Sequence, residues 1–181
     1  MTTQETNLED LKYPIGKFKF EGELTEEIKN KYIKDYEEAP SLLRNAVEGL
    51  TEEQLNTQYR PDGWTVKQVV HHLPDSHMNS FIRFKLTLTE KQPIIKSYEQ
   101  QLWANLSDSV NTPVPVSLDL FEALQKRFAV LLKSLTLEDF KKTFIHPELG
   151  IVSLERNIGV YAWHGKHHAA QIISLRRRMN W

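Results

Sequence analysis

The chain has 181 residues, 40% of them hydrophobic, which suffices for the core of one ordinary domain and is short for two. Its 23 Lys and Arg against 24 Asp and Glu leave a formal net charge of −1, so no global field points to nucleic acid or to an anionic membrane surface as a partner. The absence of cysteine excludes disulfides, thiolate ligands and a cysteine nucleophile, leaves His and carboxylate as the strong metal ligands, and fits a reducing compartment.

The first residues are polar and acidic, and no stretch approaches the ~20 apolar residues that span a bilayer, so a cytoplasmic protein with no membrane partner is expected. Residues 1–24 read as an extended N-terminal segment of a single domain covering 1–181. Thr25 then caps a helix over 25–50, whose Ile28, Tyr32, Tyr36, Ala39, Leu43, Ala46 and Leu50 follow a three-and-four spacing. Pro40 predicts a bend in it, because proline lacks the backbone donor and crowds the preceding turn. Thr65 and Gln68 form the reciprocal Thr-x-x-Gln cap of a second helix running to about Thr89.

A long connection from Glu90 to Val116 carries Pro93, Pro113 and Pro115, with a short helix predicted at Tyr98–Leu106 bearing Trp103. Ser117 is expected to cap a third helix over 117–135, with Leu120, Phe121, Leu124, Phe128, Leu131, Leu132 and Leu135 on its apolar face. Ser153 starts the fourth, to about Met179. LeuThrGluGluGlnLeu at 50–55 and LeuThrLeuGluAspPhe at 135–140 each follow a long helix and precede one that bears histidines. The whole predicts an all-α bundle of four helices with antiparallel neighbours and a long loop between the second and third.

Six of the seven histidines fall in two groups, His71, His72 and His77 on the second helix and His164, His167 and His168 on the fourth. His164 and His168, four residues apart, project from one helix face on adjacent turns and can grip one divalent cation. A third imidazole from the first group would complete the three protein ligands of a catalytic zinc site. Spacing does not choose among His71, His72 and His77. The fourth helix carries a seam, Ile158, Tyr161, Gly165, His168, Ile172, Leu175 and Met179, in which Gly165 leaves either room for a metal or a close helix contact. Asp75, one turn from His71 and His72, is the nearest carboxylate; it either orients a ligand or takes a proton, or merely solvates a helix face. His146, before Pro147, reads as surface, and Arg176, Arg177 and Arg178 as charges suited to a helix C-terminus.

HisHisLeuProAspSerHisMetAsn at 71–79, ArgPheLys at 83–85, TyrProIleGly at 13–16, GlyTrpThrVal at 63–66 and TyrAlaTrpHis at 161–164 together resemble the YfiT group of the DinB-like superfamily, in order over nearly the whole chain. The resemblance implies a DinB-like four-helix bundle, a homodimer, and one Zn²⁺ or Ni²⁺ per chain held by His72, His164 and His168. Pro74 departs from the family pattern, which has a small non-proline residue there, and predicts a kink next to His72.

The family is described as metal-dependent hydrolases, so the first expectation is an enzyme whose mononuclear three-histidine centre activates a bound water against a small-molecule substrate, with Asp75 as the candidate proton acceptor. A metal-dependent S-transferase for a low-molecular-weight thiol of the bacillithiol type is the alternative. A non-catalytic metal-binding bundle is the third.

Overall fold

A computed structural model of the chain describes residues 7–20 and 22–181; the expected extended segment therefore lies outside the described residues over 1–6 and at Glu21. The part described holds a five-residue helix, α1 (Leu8–Lys12), capped by Asn7. Then follow α2 (Glu26–Val47), α3 (Glu52–Leu55), α4 (Val66–Thr89), α5 (Gln100–Trp103), α6 (Ser107–Asn111), α7 (Val114–Ser134), α8 (Leu137–Phe140), the strands β1 (Thr143–His146) and β2 (Gly150–Ser153), and α9 (Leu154–Met179).

Three of the four long helices start where a side chain satisfies one of their first N–H groups. Thr25, Thr65 and Ser153 each accept from a backbone N–H three residues on, and Thr65 with Gln68 completes a capping box. The repeated Leu-Thr segments prove to be matching one-turn helices, α3 and α8, each with its own capping box from Thr51 or Thr136. The third long helix starts earlier than expected. Pro113 is its N-cap and Pro115 lies in its first turn, where the missing N–H has no intrahelical partner in any case; Ser117 is inside the helix and turned to another use. Its buried face is Leu118, Phe121, Gln125, Phe128 and Leu132, and Leu120 is exposed. The single short helix expected at Tyr98–Leu106 is two, α5 and α6, separated at Ala104–Leu106. Both Pro40 and Pro74 lie inside helices that continue past them.

The bundle corrects the expectation of antiparallel neighbours. The main packing pairs are α2 with α9, α9 with α4, α4 with α7, and α7 with α2, so α2 lies diagonally from α4 and α7 from α9, while α4 and α7 are neighbours. α2 and α9 run parallel, since Tyr32 meets Gly159, Ala39 meets Gly165 and the Ala46 carbonyl meets Arg176. α4 and α7 are also parallel, with His71 at Ser117, His77 at Gln125 and Phe84 at Phe128. Only α2 with α7 and α4 with α9 are antiparallel. Parallel packing of α4 and α7 requires a connection that returns along the bundle, and residues 90–113 supply it.

A short hairpin, not foreseen in the sequence, joins α8 to α9. Phe144 pairs with Val152, both buried, and Gly150 at φ +70° carries the turn. Pro93 and Ile95 pair with Ile145, tying the long connection to it. Among the described residues no helix is long and apolar enough to cross a membrane.

Two apolar clusters stack along the bundle. One contains Ile33, Tyr36, Phe84, Phe128, Leu132 and Ile158, and the other Leu43, Val66, Val69, Phe121, Ile172 and Leu175. Between them lies a layer of buried polar side chains from α4, α7 and α9: His72, His77, Gln125, His168 and Gln171. Gly165 belongs to this level, and it serves helix packing. A Cβ there would come within 2.7 Å of the Ala39 Cβ, so α9 and α2 touch backbone to side chain. Gly165→Ala is expected to destabilise the fold by about 1–2 kcal/mol, overpacking of ~1–3 kcal/mol being partly offset by better helix propensity. A lowered urea midpoint with an unchanged m-value would show it.

Candidate metal centre

The antiparallel pair α4 and α9 brings His72 opposite His164 and His168. The Nε2 of His164 lies 3.3 Å from that of His72 and 3.1 Å from that of His168. No other group of three ligating side chains clusters as these do among the described residues. Four ligands around zinc at ~2.0–2.1 Å stand roughly 3.3–3.4 Å apart, so the two separations are close to the edges of such a tetrahedron. The donor set also fits a divalent ion. Burial, and then the neighbouring His168, holds His72 and His164 well below the ordinary histidine range. Burial brings His168 down to about 4, against an opposing hydrogen bond to Gln171. All three are therefore neutral at pH 7, the form that binds metal.

The other histidines sort by helix face. His71 points away, with Nδ1 2.7 Å from the Ser117 hydroxyl of α7. His77 lies under His164, its Nε2 3.4 Å from the His164 Nδ1, and is fully buried between Tyr36, Phe121 and Tyr161. His167 stacks on Trp163 at 4.2 Å between ring centroids and accepts from the Gln171 amide through Nε2. His146 ends β1, where its Nδ1 accepts from the Glu148 N–H.

Asp75 lies beside Asp108 and Tyr98, and burial, then the Asp108 charge, raises it to about 6. Among the described residues its carboxylate makes no hydrogen bond to an imidazole. It is also not among the side chains lining the cavity that leads to the cluster.

That cavity, about 380 Å³, reaches His72 and His168 between Lys12, Tyr13 and His167 on one side and Tyr59, Arg60, Trp64 and Gln101 on the other. Trp64, just before the Thr65 cap, belongs to this wall, its ring 4.6 Å from that of His72 and 6.4 Å from that of His168. Its indole N–H donates to Gln101 on α5, so the long connection holds one wall of the mouth. Trp103 stands apart from this wall, 38% exposed and against Tyr98.

The sequence profile of the DinB superfamily matches residues 35–172. A protein of Oceanobacillus iheyensis named "Putative metal-dependent hydrolase" is 54% identical over 170 residues, covering 94% of this chain and 98% of its own length. A Bacillus cereus protein of the same name is 55% identical over 174 residues, covering 96% and 100%. The solved structure of YfiT from Bacillus subtilis, described as a probable metal-dependent hydrolase with an unusual four-helix bundle topology, superposes with a TM-score of 0.92 at 48% identity, covering 95% of this chain and 99% of YfiT. With its bundle, its three converging imidazoles and a profile match that runs from the middle of α2 into α9, this chain belongs to the DinB superfamily.

Proposed function

We propose that the protein is a metal-dependent hydrolase in which His72, His164 and His168 hold one divalent cation, zinc or nickel, against a small-molecule substrate. The observation that carries this is the convergence of three neutral Nε2 atoms, two of them on buried histidines, at 3.1 and 3.3 Å, reached by an open, polar cavity. The names of the close relatives support hydrolysis as the reaction. Bound there, such an ion supplies Lewis acidity and can lower the pKa of a ligated water toward ~7.

The chain's own residues do the rest. Trp64 covers His72 and His168 and keeps bulk water from that side, and Gln101 keeps the indole in place. Lys12, Arg60 and Asp62 at the mouth give it charged groups of both signs, suited to a polar substrate. The homodimer implied by the resemblance is part of this reading, and sedimentation at micromolar concentration checks it.

Purified protein is expected to contain one zinc or nickel per chain by elemental analysis, and His168→Ala to lose it. Metal-loaded protein should turn over an activated ester without added thiol, and lose that turnover on chelation. Turnover only when a low-molecular-weight thiol is supplied would replace hydrolysis by thiol transfer. Metal binding without turnover of either kind would leave a binding bundle.

Asp75 sits outside the cavity lining, so we assign proton acceptance to solvent entering by the mouth. Asp75→Asn is then expected to keep its metal and retain turnover within about tenfold, whereas losing a general base costs ~10²–10⁴-fold. The same variant has a stability signature. The folded pKa of Asp75, about 6, lies above that of the unfolded chain, so the folded state holds its proton longer and the group lowers stability as pH rises from about 4 through about 6. At pH 7–8 Asp75→Asn should be more stable than the parent by about 1 kcal/mol, after allowance for solvent screening, and the gap should close near pH 4. Paired thermal melts at the two pH values measure it.

A further inference from the structure

Beneath the three imidazoles, two glutamines occupy equivalent places. Gln125 is 1% exposed, and its Nε2 donates to the Tyr36 carbonyl at 3.2 Å. That carbonyl is free because residue 40 is proline, which has no N–H to close the helical bond one turn on. Gln171 is 2% exposed, and its Nε2 donates to the Lys12 carbonyl at 2.8 Å. A backbone carbonyl can only accept, so neither amide can be turned over without setting oxygen against oxygen.

The consequence passes from ring to ring. The Gln125 Oε1 faces the His77 Nδ1 at 3.3 Å, so that nitrogen carries the proton and the His77 Nε2 is bare. The bare Nε2 faces the His164 Nδ1 at 3.4 Å, which must then be the protonated one, leaving the His164 Nε2 bare. On the other side the Gln171 Oε1 faces the His168 Nδ1 at 2.8 Å, so the His168 Nε2 is bare as well. Two lone pairs thus confront each other at 3.1 Å with no hydrogen between them, an arrangement that a cation relieves.

We infer that Gln125, acting through His77, and Gln171 are positioning residues that set the tautomers of His164 and His168, so that both present unprotonated Nε2 atoms to the metal. The inference rests on the metal-binding reading above and adds to it the side chains that prepare the ligands. His77 is then a link in this chain rather than a ligand, and Pro40 on α2 is its starting point, connected to the ligands through α7 and α4.

The test reads tautomers and affinity rather than turnover. In a two-bond ¹H–¹⁵N spectrum of the zinc-loaded parent, His77 should show its proton on Nδ1; a proton on Nε2 would overturn the inference. Zinc affinity, measured by competition with a chromophoric chelator, should fall by about 10–100-fold in Gln125→Met, which keeps the volume and removes the acceptor. Gln125→Glu, whose carboxyl is neutral in so buried a place and can donate its O–H to the Tyr36 carbonyl while accepting from His77, should regain most of that loss, as replacement of a merely structural residue would not. A folded Gln125→Met that binds zinc as tightly as the parent defeats this inference and leaves the metal site standing. A parent that takes up no zinc or nickel defeats both. Should Gln125→Met fail to fold, the His77 tautomer in the parent still decides.

Discussion

Everything in this bundle is arranged around the need to bury neutral imidazoles in its middle. An unpaired polar group in an apolar interior costs of order 1–3 kcal/mol, and this layer holds several. The structure meets the cost by confining them to one level between two apolar clusters and giving nearly every ring a polar neighbour. The diagonal order of the long helices follows the same requirement. It sets α4 against α9 so that histidines from both meet, and it sets α7 and α2 where Gln125 and the Tyr36 carbonyl can close the network from behind.

Much of this was legible in the sequence because it is local. Thr25, Thr65 and Ser153 announce their helices by capping chemistry, and α4 and α9 end at Thr89 and Met179, as their patterns indicated. His164 and His168 declare a shared face by their spacing alone, whereas the choice of His72 over His71 needed the family resemblance. The illegible parts are those decided by partners distant in the chain. Ser117 looks like a cap, but two prolines upstream start the helix and free the hydroxyl for His71. Gly165 offers space or close contact on equal terms until Ala39 is placed across from it. The hairpin strands are four residues each, too short for alternation to be read. Gln125 did leave a sign, as the one amide in the run Leu118, Phe121, Gln125, Phe128 and Leu132, yet a glutamine in an apolar stripe names no partner by itself.

The two internal prolines show how one local rule yields different outcomes. Each removes a helical hydrogen bond, and each helix continues. In α2 the carbonyl released by Pro40 becomes a fixed acceptor for Gln125. In α4, Pro74 stands two residues beyond His72, and the three Nε2 atoms still converge. A kink expected from sequence therefore does not disperse the cluster.

Among the described residues, the Lys12 carbonyl is the one main-chain atom from the N-terminal segment that takes part in the imidazole network. The segment is fastened at neighbouring points too, by Tyr13 against the His167 ring and by the Trp163 indole donating to the Gly16 carbonyl. Undocking it would release the Gln171 amide and, with it, the ring of His168. By thermodynamic reciprocity, whatever steadies that ring must also press the segment onto α9, by the same free energy. Docking of residues 12–16 and the order of the imidazole layer are thus coupled, and the start of the chain behaves as a clasp on α9.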